Sequence, residues 1–275
     1  MEQNPVISRL APTPSGYLHL GNALNFLITW QFVRQHRGKL ILRIDDGDST
    51  RSRPQFVEDI FRTLEWLELD WDLGPSGPDD FYTNYSQNSH SDKYFTVIEN
   101  LERTYSCKCS RKIIRKTFGS TIYGGSCRDK MVPFVKGRTA KRVIVDRPVY
   151  DAGSAFDLAR AMGDFVLWTR DDTPAYQLVS LVEDETHGVT HIFRGEDLHT
   201  STMAQKYLAE ELDFSLFLQA QVVHHELIYG PDGIKLTKSA GAASLRDIRE
   251  SGKDKSYVVD LLCPYLDRFR EKLLP

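Results

Sequence analysis

Val6, Ile7 and Leu10 form a short apolar run that breaks into Ala11-Pro12-Thr13-Pro14-Ser15-Gly16, the pattern of a strand ending in a Pro/Gly loop. From 21 to 37 the apolar positions Leu24, Leu27, Ile28, Phe32 and Val33 recur at helical spacing, and Gly38 closes the run. Residues 39–44 read as a buried strand that ends in the acidic loop Asp45-Asp46-Gly47-Asp48. Strand, helix, strand is the opening of a parallel sheet. Pro54 starts a second helix with the stripe Phe56, Ile60, Leu64 and Leu67, and residues 92–103 predict a third.

The alternation is then interrupted by a segment with two candidate strands, 142–145 and 165–168. It resumes with 176–182, a strand at 190–193, a helix at 200–212 and a strand around 220–223. A loop at 230–239 leads to an amphipathic tail. The pattern predicts an α/β, doubly wound parallel domain split into 1–103 and 163–225, with an insertion at 104–162 and a loop and helical tail at 226–275. There are no repeats, low-complexity tracts or long linkers.

At 275 residues, 41% apolar and 27% charged, the chain can bury one sizeable core plus a smaller module. No apolar run is long enough to cross a membrane and no leader pattern opens the chain, so a cytoplasmic protein without a membrane partner is expected. The net charge of -3 hides an asymmetry: residues 108–147 hold twelve Lys and Arg against Asp129 and Asp146, a local balance of +10. A charge run is often just a solvated face, but this one lies beside a cysteine cluster and suits phosphate.

Of the four cysteines, Cys107, Cys109 and Cys127 crowd together while Cys263 stands apart, which favours a metal over bridges. A close Cys-x-Cys pair plus a distant Cys offers Zn²⁺ three thiolates, with His187 and His191 as candidates for the fourth donor. His19 and Gly21 stand where a strand end meets a helix N-terminus, a phosphate site in principle, although such a pair is more often a plain turn. Lys235-Leu236-Thr237-Lys238-Ser239 follows Pro231-Asp232-Gly233 and could wrap a triphosphate, although such a loop is usually solvated surface.

Together and in this order, His19-Leu20-Gly21-Asn22 and Lys235-Leu236-Thr237-Lys238-Ser239 resemble the paired nucleotide motifs of class I aminoacyl-tRNA synthetases. Arg9-Leu10-Ala11-Pro12-Thr13-Pro14-Ser15-Gly16, Arg43-Ile44-Asp45-Asp46-Gly47-Asp48, Val182-Glu183-Asp184 and Arg194-Gly195-Glu196-Asp197 resemble stretches of the glutamyl/glutaminyl branch. Cys107-Lys108-Cys109, Tyr123 and Cys127-Arg128 are similar to the zinc site of its stand-alone members, the glutamyl-queuosine tRNA(Asp) synthetases.

The resemblance implies a Rossmann-type class I catalytic domain with an inserted zinc-containing acceptor-binding module, a short helical tail and no anticodon-binding domain. It implies glutamate activation by ATP with Mg²⁺, in-line attack of the α-carboxylate on the α-phosphorus, and transfer to tRNA, for these members to queuosine in tRNA(Asp). A monomer is expected.

By the same resemblance Arg9 pairs with the side-chain carboxylate of glutamate, Arg194 with its α-carboxylate, and Asp45 and Tyr176 with its amino group, while Thr13 lies near the substrate. His19, Gly21, Asn22, Lys235 and Lys238 serve ATP, with His19, Lys235 and Lys238 catalytic, and Cys107, Cys109, Tyr123 and Cys127 hold Zn²⁺. Asn22, Asp45 and Ser180 depart from the branch's His, Glu and Asn. A shortened synthetase charging a tRNA 3′ end and a non-catalytic binding paralogue share these motifs.

Overall fold

The computed structural model describes residues 5–229 and 243–273. In chain order the elements are β1 Ile7–Leu10, α1 Leu20–Gln35, β2 Lys39–Leu42, α2 Pro54–Trp66, α3 Pro78–Asp80, α4 Ser91–Glu99, β3 Thr104–Cys107, α5 Arg111–Phe118, β4 Ala140–Val143, β5 Val149–Asp151 and β6 Ser154–Phe156. There follow α6 Leu158–Ala161, β7 Val166–Trp168, α7 Tyr176–Thr186, β8 His191–Gly195, α8 His199–Glu211, α9 Ser215–Gln219, β9 Gln221–His225, α10 Leu245–Glu250 and α11 Lys255–Leu273.

The parallel sheet that the hydrophobic pattern predicts is present. β1 pairs with β2 and β8 with β9, all parallel. β1 and β8 lie side by side: the Thr190 N–H donates to Ile7 O at 2.9 Å and Ser8 Oγ donates to His191 O at 2.7 Å. The chain therefore winds from β1 one way through α1 to β2, and later arrives on the other side of β1 through α7 and β8. Such a reversal leaves a crevice at the carboxyl ends of the strands, where ligands of open α/β sheets bind. Gly38 permits the tight entry into β2, because a Cβ there would stand 2.4 Å from Val6 O.

One apolar core packs α1, α2, α10 and α11 around β1 and β2, with Leu10, Leu24, Leu40, Leu64, Leu245 and Leu262 fully buried. A second joins α4, α7 and α8 to β7 and β8 through Tyr94, Trp168, Leu178, Ile192 and Tyr207. Burial of each such side chain contributes about 1.5–3 kcal/mol. A third, small cluster of Tyr105, Cys107, Ile114, Tyr123 and Cys127 belongs to the segment between them.

Several boundaries differ from expectation. The helix expected to run to residue 103 stops at Glu99, and Leu101 turns inward to be buried. In the intervening segment β5 and β6 pair as a separate hairpin, while β3 and β4 join an antiparallel sheet in the order β3-β4-β7, whose last strand lies past the boundary expected at 162. The last parallel strand runs two residues beyond Val223 and ends in His224-His225.

Candidate active site

The carboxyl ends of β1, β2, β8 and β9 open into a cleft of about 1740 Å³ lined by Arg9, Thr13, His19, Gly21, Asn22, Arg43, Asp45, Tyr176, Arg194 and His225. It runs on into the inserted segment as far as Cys109, Arg111, Lys112 and Tyr123. The expected glutamate ligands Arg9, Thr13, Asp45, Tyr176 and Arg194 thus share one cleft with His19, Gly21 and Asn22. Lys235 and Lys238 lie outside the described residues.

At its floor three buried guanidiniums surround one carboxylate. Arg9 Nε donates to Asp184 Oδ1 at 2.9 Å, Arg43 Nη1 donates to the same oxygen at 2.6 Å, and Arg194 Nη2 stands 3.9 Å from Oδ2. Arg43 also clamps Asp45, at 2.7 Å from Nε, and reaches Ser180 Oγ at 3.3 Å. Gln87 Nε2 donates to the other face of this pair, at 2.8 Å from Asp45 Oδ1.

Burial raises the Asp184 carboxyl pKa, but Arg9, Arg43 and Arg194 outweigh it and hold it below the usual carboxylate range. Burial lowers the Arg194 pKa, with Arg9 and Arg43 adding to the effect, yet a guanidinium keeps its charge. Arg43, Asp184, Gln87 and Gln205 were not among the expected site residues. The first two sit inside the quoted motifs, and only the fold shows that they meet.

α8 supports Arg194 from behind. Nη1 donates to Gln205 Oε1 at 2.6 Å and to Thr202 Oγ1 at 3.2 Å, and Thr202 Oγ1 is also 2.9 Å from His224 Nε2. Burial pushes His224 down to about 4, with Arg194 and His199 adding to the effect, so its imidazole is neutral at neutral pH.

At the start of α1 the expected phosphate residues build the cap. His19 Nδ1 accepts from the Gly21 N–H at 3.1 Å and Asn22 Oδ1 accepts from the His19 N–H at 3.0 Å, a capping box made of His and Asn. Gly21 makes room for it, since a Cβ there would lie 3.0 Å from His19 Cε1. The N-terminal end of the helix, His19, Gly21 and Asn22, lines the cleft, where the positive end of the dipole favours an anion.

In the inserted segment the Sγ atoms of Cys107, Cys109 and Cys127 all lie within 4.8 Å of one another, with Cys109 and Cys127 3.6 Å apart. Tyr123 Oη stands 3.8 Å from Cys109 Sγ. Ligands of a tetrahedral Zn²⁺ with bonds near 2.3 Å are about 3.8 Å apart, so the three thiols fit the ion as a structural site, with Tyr123 beside them accepting from the Cys127 N–H at 2.9 Å. His187 and His191 are not in the cluster: His187 Nδ1 meets Glu183 O at 2.9 Å and His191 Nδ1 meets Thr190 Oγ1 at 2.9 Å. Burial raises the Cys127 thiol, but Tyr123, the Lys108 N–H and the other two thiols outweigh it and bring it to about 7, which favours thiolate. Asp164, fully buried, ties this loop to the sheet by accepting from Tyr105, from Arg128 and from the Val145 N–H.

At the far end of the cleft α5 presents Arg111, Lys112, Arg115 and Lys116, all exposed, from a helix capped by Ser110 and ended by Gly119 at φ +63. None of the four forms an ion pair among the described residues.

A family of tRNA synthetases of class I (E and Q), catalytic domain, matches residues 5–131 and 152–265. A "Glutamyl-Q tRNA(Asp) synthetase" of Symbiobacterium thermophilum is 38% identical over 278 residues, covering 91% of this chain and 83% of the relative. A "Glutamate–tRNA ligase" of Desulfosudis oleivorans is 35% identical over 265 residues, covering 90% of this chain and 54% of the relative. The chain thus spans about half the length of the glutamate–tRNA ligases it matches. Among solved structures, the glutamate–tRNA synthetase of Elizabethkingia anophelis superposes with a TM-score of 0.70 at 25% identity, over 91% of this chain and 54% of that one. With its doubly wound sheet, its cleft at the strand ends and these matches, the chain belongs to the class I glutamyl/glutaminyl-tRNA synthetase family and carries that family's catalytic domain.

Proposed function

We propose that the chain activates L-glutamate with ATP and transfers the glutamyl group to a tRNA, at queuosine in tRNA(Asp). The observation that carries the choice of amino acid is the charge balance of the cleft floor. Arg9, Arg43 and Arg194 bring three positive charges, while Asp45 and Asp184 bring two negative ones. Lys93 and Glu183 beside them cancel each other at 2.5 Å. Within this ion-paired cluster one positive charge is left over; the buried Asp46 stands outside it, its carboxylate taken by Ser86, Gln87 and Asn88. Glutamate, with two carboxylates and one ammonium, carries the single negative charge that closes the balance, whereas glutamine carries none.

In this reading the α-carboxylate oxygen attacks the α-phosphorus of ATP, the bond to the β-phosphate oxygen breaks, and pyrophosphate leaves with the electron pair. Arg9 faces the side-chain carboxylate, Arg194 the α-carboxylate, and Asp45 with Tyr176 the ammonium; Thr13 borders them. His19, Gly21 and Asn22 hold the phosphates at the start of α1, and Lys235 and Lys238 neutralise the leaving pyrophosphate. Mg²⁺ arriving with ATP adds charge neutralisation there. Cys107, Cys109, Tyr123 and Cys127 would hold Zn²⁺ as a structural ion, outside the reaction. Positioning and charge stabilisation supply the catalysis.

The acceptor is supported by the likeness to the Symbiobacterium relative over most of its length and by the unpaired cations of α5 beside the cleft. Exchange of labelled pyrophosphate into ATP, with glutamate or glutamine and with or without tRNA, tests activation. Exchange with glutamate alone is the expected outcome. Exchange with glutamine only, or none, overturns the reading. Mapping labelled glutamate on tRNA(Asp) tests the acceptor: label at the 3′ end would replace queuosine with the terminal ribose.

A further inference from the structure

Arg194 has five N–H hydrogens, and their partners divide sharply. Both hydrogens of Nη1 are taken, one by Gln205 Oε1 at 2.6 Å and one by Thr202 Oγ1 at 3.2 Å. Nε and Nη2 are buried and make no hydrogen bond in the structure, the nearest acidic oxygen, Asp184 Oδ2, standing 3.9 Å from Nη2, too far for one. Those two atoms form the side-on edge of a guanidinium, the edge that meets the two oxygens of a carboxylate in parallel. Buried donors left unmet are costly, so an edge kept open on a residue that lines the cleft points to an anionic occupant.

Thr202 and Gln205 stand three residues apart on α8, on one face of the helix, and both are buried. Thr202 Oγ1 has one hydrogen and two lone pairs, and it makes three contacts: Arg194 Nη1 at 3.2 Å, His224 Nε2 at 2.9 Å and Leu198 O at 3.2 Å. All three are satisfied together when the hydroxyl accepts from Arg194 and from an Nε2–H of His224 and donates to Leu198 O. The hydroxyl is then fixed with a lone pair toward Arg194.

We propose that Thr202 and Gln205 are positioning residues for amino-acid recognition: by taking both Nη1 hydrogens they hold the Nε/Nη2 edge of Arg194 open for the α-carboxylate of the substrate. The assignment rests on the glutamate reading above and adds two residues that do not touch the substrate. A rigid helix face behind the guanidinium keeps the edge oriented before the amino acid arrives, which lowers the ordering cost of binding.

The test uses the full chain and the variants Thr202→Val, Thr202→Ser and Gln205→Leu. Calorimetry reads the Kd for glutamate and, separately, for glutamol, the analogue whose α-carboxylate is an alcohol; pyrophosphate exchange reads KM for ATP. Loss of one bond to the charged group is expected to weaken glutamate by on the order of tenfold to a hundredfold in Thr202→Val and Gln205→Leu. Glutamol binding and the KM for ATP should stay within about twofold, a split that general damage to the fold would not produce. Thr202→Ser, which keeps the hydroxyl, should restore glutamate binding.

If Thr202→Val binds glutamate as the parent does, or loses glutamate and glutamol equally, the positioning role is overturned. Parent protein that binds glutamate but never exchanges pyrophosphate would sink the activity while the glutamate-to-glutamol comparison still decides the role of Thr202. Parent protein that binds no glutamate overturns both.

Discussion

The floor of the cleft and the exposed surface of α5 at its far end both carry basic residues, and they use them in opposite ways. At the floor every guanidinium is buried and packed against fixed acceptors: Asp184 serves Arg9 and Arg43, Asp45 serves Arg43, and Gln205 serves Arg194. On α5 the four cations project into solvent with no ion pair among the described residues. A buried, oriented cluster has one missing charge of defined geometry, so it selects a small anion of defined shape. Unpaired surface cations have no preferred geometry and suit an extended polyanion whose phosphates repeat. Changes at the floor should therefore alter stability and amino-acid choice, whereas changes on α5 should alter salt dependence and little else.

The largest effect is expected from Asp184→Asn. It leaves three buried guanidiniums with Asp45 as their one remaining carboxylate, and breaking a buried ion pair by removing one partner costs about 3–5 kcal/mol. Urea midpoints of parent and variant measure it. The pH dependence follows from the same carboxylate. Its folded-state pKa is depressed by the guanidiniums, net of burial, so its contribution is fully present above the unfolded value of about 3.9 and is lost as pH falls through the folded one. Acid unfolding should be steeper in the parent below about pH 4 than in Asp184→Asn. Parallel acid profiles would mean that Asp184 is not the linked group.

Next comes amino-acid choice. Arg9→Gln removes the cation facing the side-chain carboxylate and the surplus charge together, so discrimination for glutamate over glutamine in exchange should drop by roughly a hundredfold, from about 2–5 kcal/mol for a buried charge pair. An unchanged ratio would place the selecting charge elsewhere.

These two tests turn on contacts that the sequence shows only in part. Strands β1, β2 and β8 and helix α1 were legible because burial imposes a period on apolar positions, and the motifs at their ends were legible with them. The lattice joining them was not. Arg9 and Asp184 are 175 residues apart and Arg43 and Asp184 are 141, and nothing local encodes that they meet. Asp184 shared a motif with Val182 and Glu183, but its role appears only when α7 brings it against Arg9 of β1. The helix α5 was missed for a different reason. Ser110 caps it and Gly119 ends it, but eight residues with a single buried position, Ile114, carry too little apolar period to stand out in a basic run. The three-cysteine cluster was legible because thiol spacing needs no packing to be recognised, whereas the neighbouring β3-β4-β7 sheet depends on β7 from beyond the insertion.

The smallest effects are expected on α5, and they are diagnostic because of where they are absent. Each phosphate contact contributes about 0.7–0.9 to the slope of log affinity against log salt, so Arg115→Gln alone should flatten the slope for tRNA by roughly that amount. Replacing Arg111, Lys112, Arg115 and Lys116 together should flatten it by about three, since single-stranded and duplex regions weigh contacts differently. Stability should move by no more than about 0.5 kcal/mol, because these side chains are exposed and form no ion pair among the described residues. Exchange of pyrophosphate with glutamate in the absence of tRNA should be untouched, since among the described residues no side chain of α5 bonds to Asp45 or Asp184 or to the guanidiniums they hold. An equal loss of exchange would show that α5 and the cleft floor act on the same step, and the division of labour between oriented and free cations would fail.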